Sequence, residues 1–139
     1  MNKIYVPDLT TEASLPIFMT SIEAGFPSPA DDYIEGSLDL NQHLIKHPAA
    51  TFFVRVSGES MINAGIFPGD ILVVDRSLEA VDKKIVIAVL DGELTVKRLR
   101  IRSGNPSLEP ENDRYAPIEI KPDMAFEIWG VVTNVIHKV

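Results

Sequence analysis

The chain has 139 residues, 45% of them apolar and 24% charged, with a formal net charge of −7 and no cysteine. That length supports one compact domain with a real core, and the composition excludes disulfides, a thiolate metal site and a cysteine nucleophile. The acidic balance excludes electrostatic attraction to nucleic acid over the whole surface, so a role near DNA is expected to run through a protein partner.

No apolar run approaches the roughly 18 to 20 residues that span a bilayer, so no membrane attachment is expected. The start of the chain, Met1 to Pro7, has no continuous apolar stretch behind Lys3 and does not read as a signal peptide. A cytoplasmic location is the resulting expectation.

Residues 1 to 36 are interrupted by Pro7, Pro16, Pro27 and Pro29. Each proline removes a backbone donor. Only Leu15 to Ile22 suits a short helical turn or strand, so this part is expected to be an extended, mobile N-terminal arm. Residues 37–139 form the expected folded domain. A helix is predicted from Leu38 to His47, capped by Ser37 or Asp39, striped by Leu40, Leu44 and Ile45, and stopped by Pro48.

From Thr51 onward the pattern is short strands rich in Val, Ile and aromatic residues. They are predicted at 52–57, 71–75, 85–90, 93–101 and 126–136. Pro68-Gly69-Asp70, Asp91-Gly92 and Gly104-Asn105-Pro106 separate them as turns. Asp91-Gly92 between two apolar runs is a tight-hairpin signal, which makes the strands on either side antiparallel neighbours. The fold class is therefore mainly β, of mostly antiparallel strands with one short helix and a leading arm.

Counting along the 93–101 strand with a period of two puts Arg98, Arg100 and Arg102 with Val96, and Lys97 with Thr95, Leu99 and Ile101. The arginines are expected to face water and Lys97 the apolar side. Desolvation lowers a lysine's pKa because it penalises the charged form. The neutral amine is a base, and a serine within its reach becomes a nucleophile. Ser60, in Gly58-Glu59-Ser60-Met61, precedes a predicted helical turn whose amides suit a developing oxyanion. The same residues also describe a serine capping a turn and a lysine snorkelling from a strand, and on local pattern alone both readings stand.

Other constellations carry less. His43 and His47 stand at i, i+4, but a zinc site needs further ligands, His137 is the only other histidine, and no metal or other cofactor is expected. The arginine stripe suits phosphate or an acidic partner, and equally a solvated strand face. Asp31, Asp32 and Glu35, and likewise Glu109, Glu111 and Asp113, read as solvated carboxylates in polar segments.

Gly58-Glu59-Ser60-Met61, together with Gly65-Ile66, Pro68-Gly69-Asp70 and Thr95-Val96-Lys97-Arg98-Leu99, resembles the LexA-type self-cleaving serine peptidases. Signal peptidase I shares a Ser/Lys dyad but needs a membrane anchor. The stretch Ala24 to Tyr33, followed by Leu38-Asp39-Leu40-Asn41, is similar to the UmuD branch of the family, accessory subunits of error-prone translesion polymerases.

The resemblance implies a LexA-like C-terminal peptidase domain, with Ser60 as nucleophile and Lys97 as general base. The scissile bond would be Ala24–Gly25 in the chain's own arm, with the amides of Ser60 and Glu59 as oxyanion donors. Alanine at 24 matches the repressors, where UmuD proteins often carry cysteine; both are small. The resemblance also implies a homodimer, stimulation by a RecA filament on single-stranded DNA in the SOS response, and delivery of the product to the catalytic subunit of a Y-family polymerase. Residues 1–24 are too few for a helix-turn-helix reader of roughly 60 residues, so neither repressor function nor sequence-specific DNA binding is expected. A non-enzymatic dimeric adaptor of the polymerase and a LexA-like repressor relative are the alternatives.

Overall fold

The computed structural model describes residues 4–9, 14–18 and 34–139. The chain forms two compact units, Met1–Pro7 with His47–Val139, and Asp8–Lys46.

In the smaller unit, β2 (Ser14–Phe18) pairs antiparallel with β3 (Ile34–Asp39), Pro16 lying opposite Ser37. A proline suits a strand with only one partner. The helix α1 then covers only Leu40–Leu44, and the Asp39 carboxylate accepts from the Asn41 amide at 3.0 Å as its cap. The expected helix from Leu38 to His47 is thus too long at both ends. Ser37 and Leu38 pair in β3, and Leu40, placed on an apolar stripe, is 56% exposed. Five helical residues gain too little to override a neighbouring strand.

The larger unit is a single eight-stranded sheet in which every neighbouring pair is antiparallel. β1 (Ile4–Tyr5) lies beside β4 (Thr51–Arg55), followed by β5 (Ile71–Asp75), β10 (Phe126–Ile136), β6 (Ile85–Leu90), β7 (Glu93–Arg102), β8 (Asn105–Glu109) and β9 (Ile118–Glu119). The β6–β7 hairpin turns through Asp91 (φ 49°) and Gly92 (φ 84°). Two successive left-handed residues are what a type I′ turn requires, and Asp-Gly supplies them.

Alternate residues of β6 enter two cores. Ile87 packs in a cluster with Phe52, Val54, Met61, Leu72 and Val96. Val86 and Ala88 pack in another with Leu99, Leu108 and Val131. Because apolar residues cover both faces, β6 reads as a continuous apolar run rather than an alternating one.

This doubly covered sheet corrects the expectation for the arginines. Val96 is buried on their side of β7, and Arg98 and Arg100 are only partly exposed. Their acidic partners belong to the same chain: Glu111 for Arg98, Asp82 for Arg100 and Glu109 for Arg102. Glu109, read from the sequence as a solvated carboxylate in a polar segment, closes β8 and forms an ion pair with Arg102.

Candidate active site

β4 leaves the sheet at Arg55, and Gly58 adopts φ +85°, a left-handed value that a side chain would strain. The chain then reverses into a 3-10 turn, Ile62–Ala64, closed by Gly65. Met61 and Ile66, each 1% exposed, anchor the turn in the core beside Val96. Ser60 is therefore carried at the rim of a fixed turn, half-buried, one residue before a core methionine.

Lys97 approaches from β7, and its Nζ lies 3.0 Å from Ser60 Oγ. The same nitrogen contacts Thr95 Oγ1 at 2.8 Å and the Val96 carbonyl oxygen at 3.2 Å. Thr95 precedes Lys97 by two residues in the strand, so the two share a face. Burial holds the Lys97 pKa below the ordinary lysine value.

The three contacts suit a neutral amine. Such an amine has two N–H donors and one lone pair. The Val96 carbonyl oxygen can only accept, and Thr95 Oγ1 can take the second N–H. The lone pair then remains for the Ser60 hydroxyl. This is the arrangement in which the serine proton can move to nitrogen without a third group.

A second set of bonds ties the Ser60 turn to residues 111–112. The Glu111 amide donates to the Ser60 carbonyl oxygen at 2.8 Å, and the Asn63 amide donates to the Glu111 carbonyl oxygen at 2.8 Å. Asn112 Nδ2 donates to the Glu59 carbonyl oxygen at 2.8 Å. Among the described residues, the Glu59 and Ser60 amides donate no hydrogen bond within the protein.

The structure thus brings Ser60, Lys97 and Glu59 together, whereas Ala24 and Gly25 lie outside the described residues. Sequence reasoning missed Thr95, Glu111 and Asn112. Thr95 carried a usable signal, its position two residues from Lys97. Asn112 carried none, because its partner is 53 residues away. The histidines sit elsewhere: His47 lies beyond α1 and contacts buried Asp75, and His137 contacts buried Asp70. A cavity of about 400 Å³ beside Phe52, Arg76 and Trp129 includes neither Ser60 nor Lys97.

Residues 16–133 match the family described as Peptidase S24-like. The chain is 53% identical over 123 residues to Protein ImpA of Escherichia coli, covering 88% of this chain and 83% of that protein. It is 48% identical over 122 residues to Protein MucA of Salmonella typhimurium, covering 87% and 83%. It is also 38% identical over 117 residues to LexA repressor 2 of Pseudomonas putida, covering 84% of this chain and 57% of the repressor. The chain belongs to the S24-like peptidase family and, within it, to the UmuD-type relatives of LexA.

Proposed function

We propose that the chain is a self-cleaving Ser/Lys peptidase that cuts its own Ala24–Gly25 bond. The observation that carries this reading is the 3.0 Å contact between Ser60 Oγ and the desolvated Lys97 Nζ. In this reading residues 1–36 form the arm that holds the cleavage site, and residues 37–139 the peptidase and dimerisation domain. The arm lays its bond across the site. Neutral Lys97 takes the Ser60 proton as Oγ attacks the Ala24 carbonyl carbon, and the amides of Ser60 and Glu59 hold the oxyanion. The tetrahedral intermediate expels the Gly25 nitrogen, which takes its proton from the Lys97 ammonium. Water, deprotonated by the restored amine, then releases Ala24 from Ser60.

Because the substrate is tethered, the rate depends on how often the arm occupies the cleft. A partner that favours the docked arm therefore accelerates cleavage. By resemblance that partner is a RecA filament on single-stranded DNA, and the product from Gly25 to Val139 serves a Y-family translesion polymerase in the SOS response. The protein works as a cytoplasmic homodimer in this account.

The test is intact-mass analysis at neutral pH with and without RecA, an ATP analogue and single-stranded DNA. A fragment beginning at Gly25, faster with the filament and absent in Ala24→Glu, is the expected result. Normal processing of Ala24→Glu would mean that the bond is misassigned. No fragment in any arm would leave the non-enzymatic adaptor.

A further inference from the structure

Both peptide groups that flank Ser60 are held by the segment Glu111–Asn112. The Ser60 carbonyl accepts from the Glu111 amide, and the Glu59 carbonyl accepts from Asn112 Nδ2, both at 2.8 Å. The peptide bond between Glu59 and Ser60 is trans and planar. Fixing the Glu59 carbonyl in one direction therefore fixes the Ser60 N–H in the opposite one. That N–H donates to no described group, and its direction follows the Glu59 carbonyl, which Asn112 Nδ2 holds at 2.8 Å alongside a longer contact from the Ile62 amide at 3.4 Å; it remains available to a reacting carbonyl.

Asn112 is itself only 8% exposed and is oriented on its other side, where Oδ1 accepts from the Arg114 amide at 3.1 Å. Glu111 is anchored through its side chain, which meets Arg98 Nε at 2.5 Å. Arg98 also donates to the Lys83 carbonyl oxygen at 2.6 Å. β7 therefore carries Lys97 and, at the next residue, the arginine that holds the loop beneath Ser60.

We propose that Asn112, seated by the Arg98–Glu111 pair, is a positioning residue that aims the Ser60 amide at the oxyanion and keeps the Ser60 turn in register with Lys97. This rests on the Ser/Lys reading above and adds to it a residue that never touches substrate.

Asn112→Asp is the informative variant. It keeps the Oδ1 acceptor for Arg114, loses the donor to Glu59 and sets a carboxylate against that carbonyl. Self-cleavage of the full chain is followed by intact mass across neutral to alkaline pH, under conditions where circular dichroism shows wild type and variant folded. Losing a whole oxyanion donor costs about a hundred- to a thousandfold, and misaiming it should cost less. The plateau rate is expected to fall about ten- to a hundredfold. The midpoint should not fall, because Ser60, Thr95 and the Val96 carbonyl still surround Lys97 and burial still lowers its pKa, while any influence of the new carboxylate favours the ammonium form.

A residue that only stabilises the fold would lower the melting temperature and leave the rate curve of folded protein unmoved. An Asn112→Asp curve lying on the wild-type curve, or a rate loss that tracks the unfolded fraction, overturns the proposal and leaves the dyad standing. A wild-type chain that never cleaves sinks the parent reading and this one together. Should Asn112→Asp not fold, Arg98→Met decides instead. It frees the Glu111 side chain while retaining Asn112, and the same plateau loss is expected, smaller in size; a wild-type plateau would overturn the proposal.

Discussion

Replacing Thr95 with valine keeps a β-branched residue in β7 and removes one of the three oxygens around the Lys97 amine. The ammonium form uses all three as acceptors, whereas the neutral form needs only two. A hydrogen bond to a charged group contributes about 1.5–3 kcal/mol and a neutral one about 0.5–1.5 kcal/mol. Deleting Thr95 Oγ1 at 2.8 Å therefore costs the ammonium about 1 kcal/mol more than the amine. Lys97 keeps some contact with solvent, which pulls that figure toward its lower end. At 1.36 kcal/mol per pH unit, the midpoint of the rate curve should fall by about half a unit. Burial already lowers the Lys97 pKa, and the variant extends that change in the same direction. The amine also loses an orienting contact, so the plateau should drop about tenfold. First-order self-cleavage rates by intact mass, from neutral to alkaline pH, read both quantities. A midpoint that stays fixed or moves upward would refute the assignment of Lys97 as the titrating base held by Thr95.

Two further predictions concern the scaffold. In Gly130→Ala the new Cβ would stand 2.7 Å from Val74 Cγ1 and 3.1 Å from the Asp75 carbonyl oxygen. Backbone cannot yield as a side chain does, so stability should fall by about 1–3 kcal/mol; an unchanged melting temperature would contradict the close approach of β10 to β5. Burial raises the Asp75 pKa, but hydrogen bonds from Ser77 and His47 outweigh it and hold the carboxyl below its ordinary value. Its contribution is present above the unfolded-state pKa and lost as pH falls through the folded-state value. Urea unfolding of Asp75→Asn should show a loss of about 1–3 kcal/mol at neutral pH that shrinks on acidification, whereas a gap independent of pH would refute the pairing.

The strands at 71–75, 85–90 and 126–136 were legible end for end, because each is a Val- and Ile-rich run bounded by turn residues. β8 was not. Gly104-Asn105-Pro106 reads as a turn, yet the hairpin reverses at Ser103 (φ 52°) and Gly104 (φ 77°), and Asn105 and Pro106 already pair with Arg102 and Ile101. Strand parity singled out Lys97, and the structure places it against Ser60. Parity alone misjudged the arginines, since Val96 on their side is core and their carboxylate partners come from other segments, before β6 and in and after β8. Asn112 illustrates the general limit: a buried amide in a polar loop gains its meaning only from the turn it holds.

The most direct test of the account sets wild type and Ser60→Ala side by side at alkaline pH and follows both by intact mass. Wild type is expected to be converted to a product beginning at Gly25 while Ser60→Ala stays whole. Conversion of Ser60→Ala at the wild-type rate would contradict the Ser60–Lys97 mechanism outright.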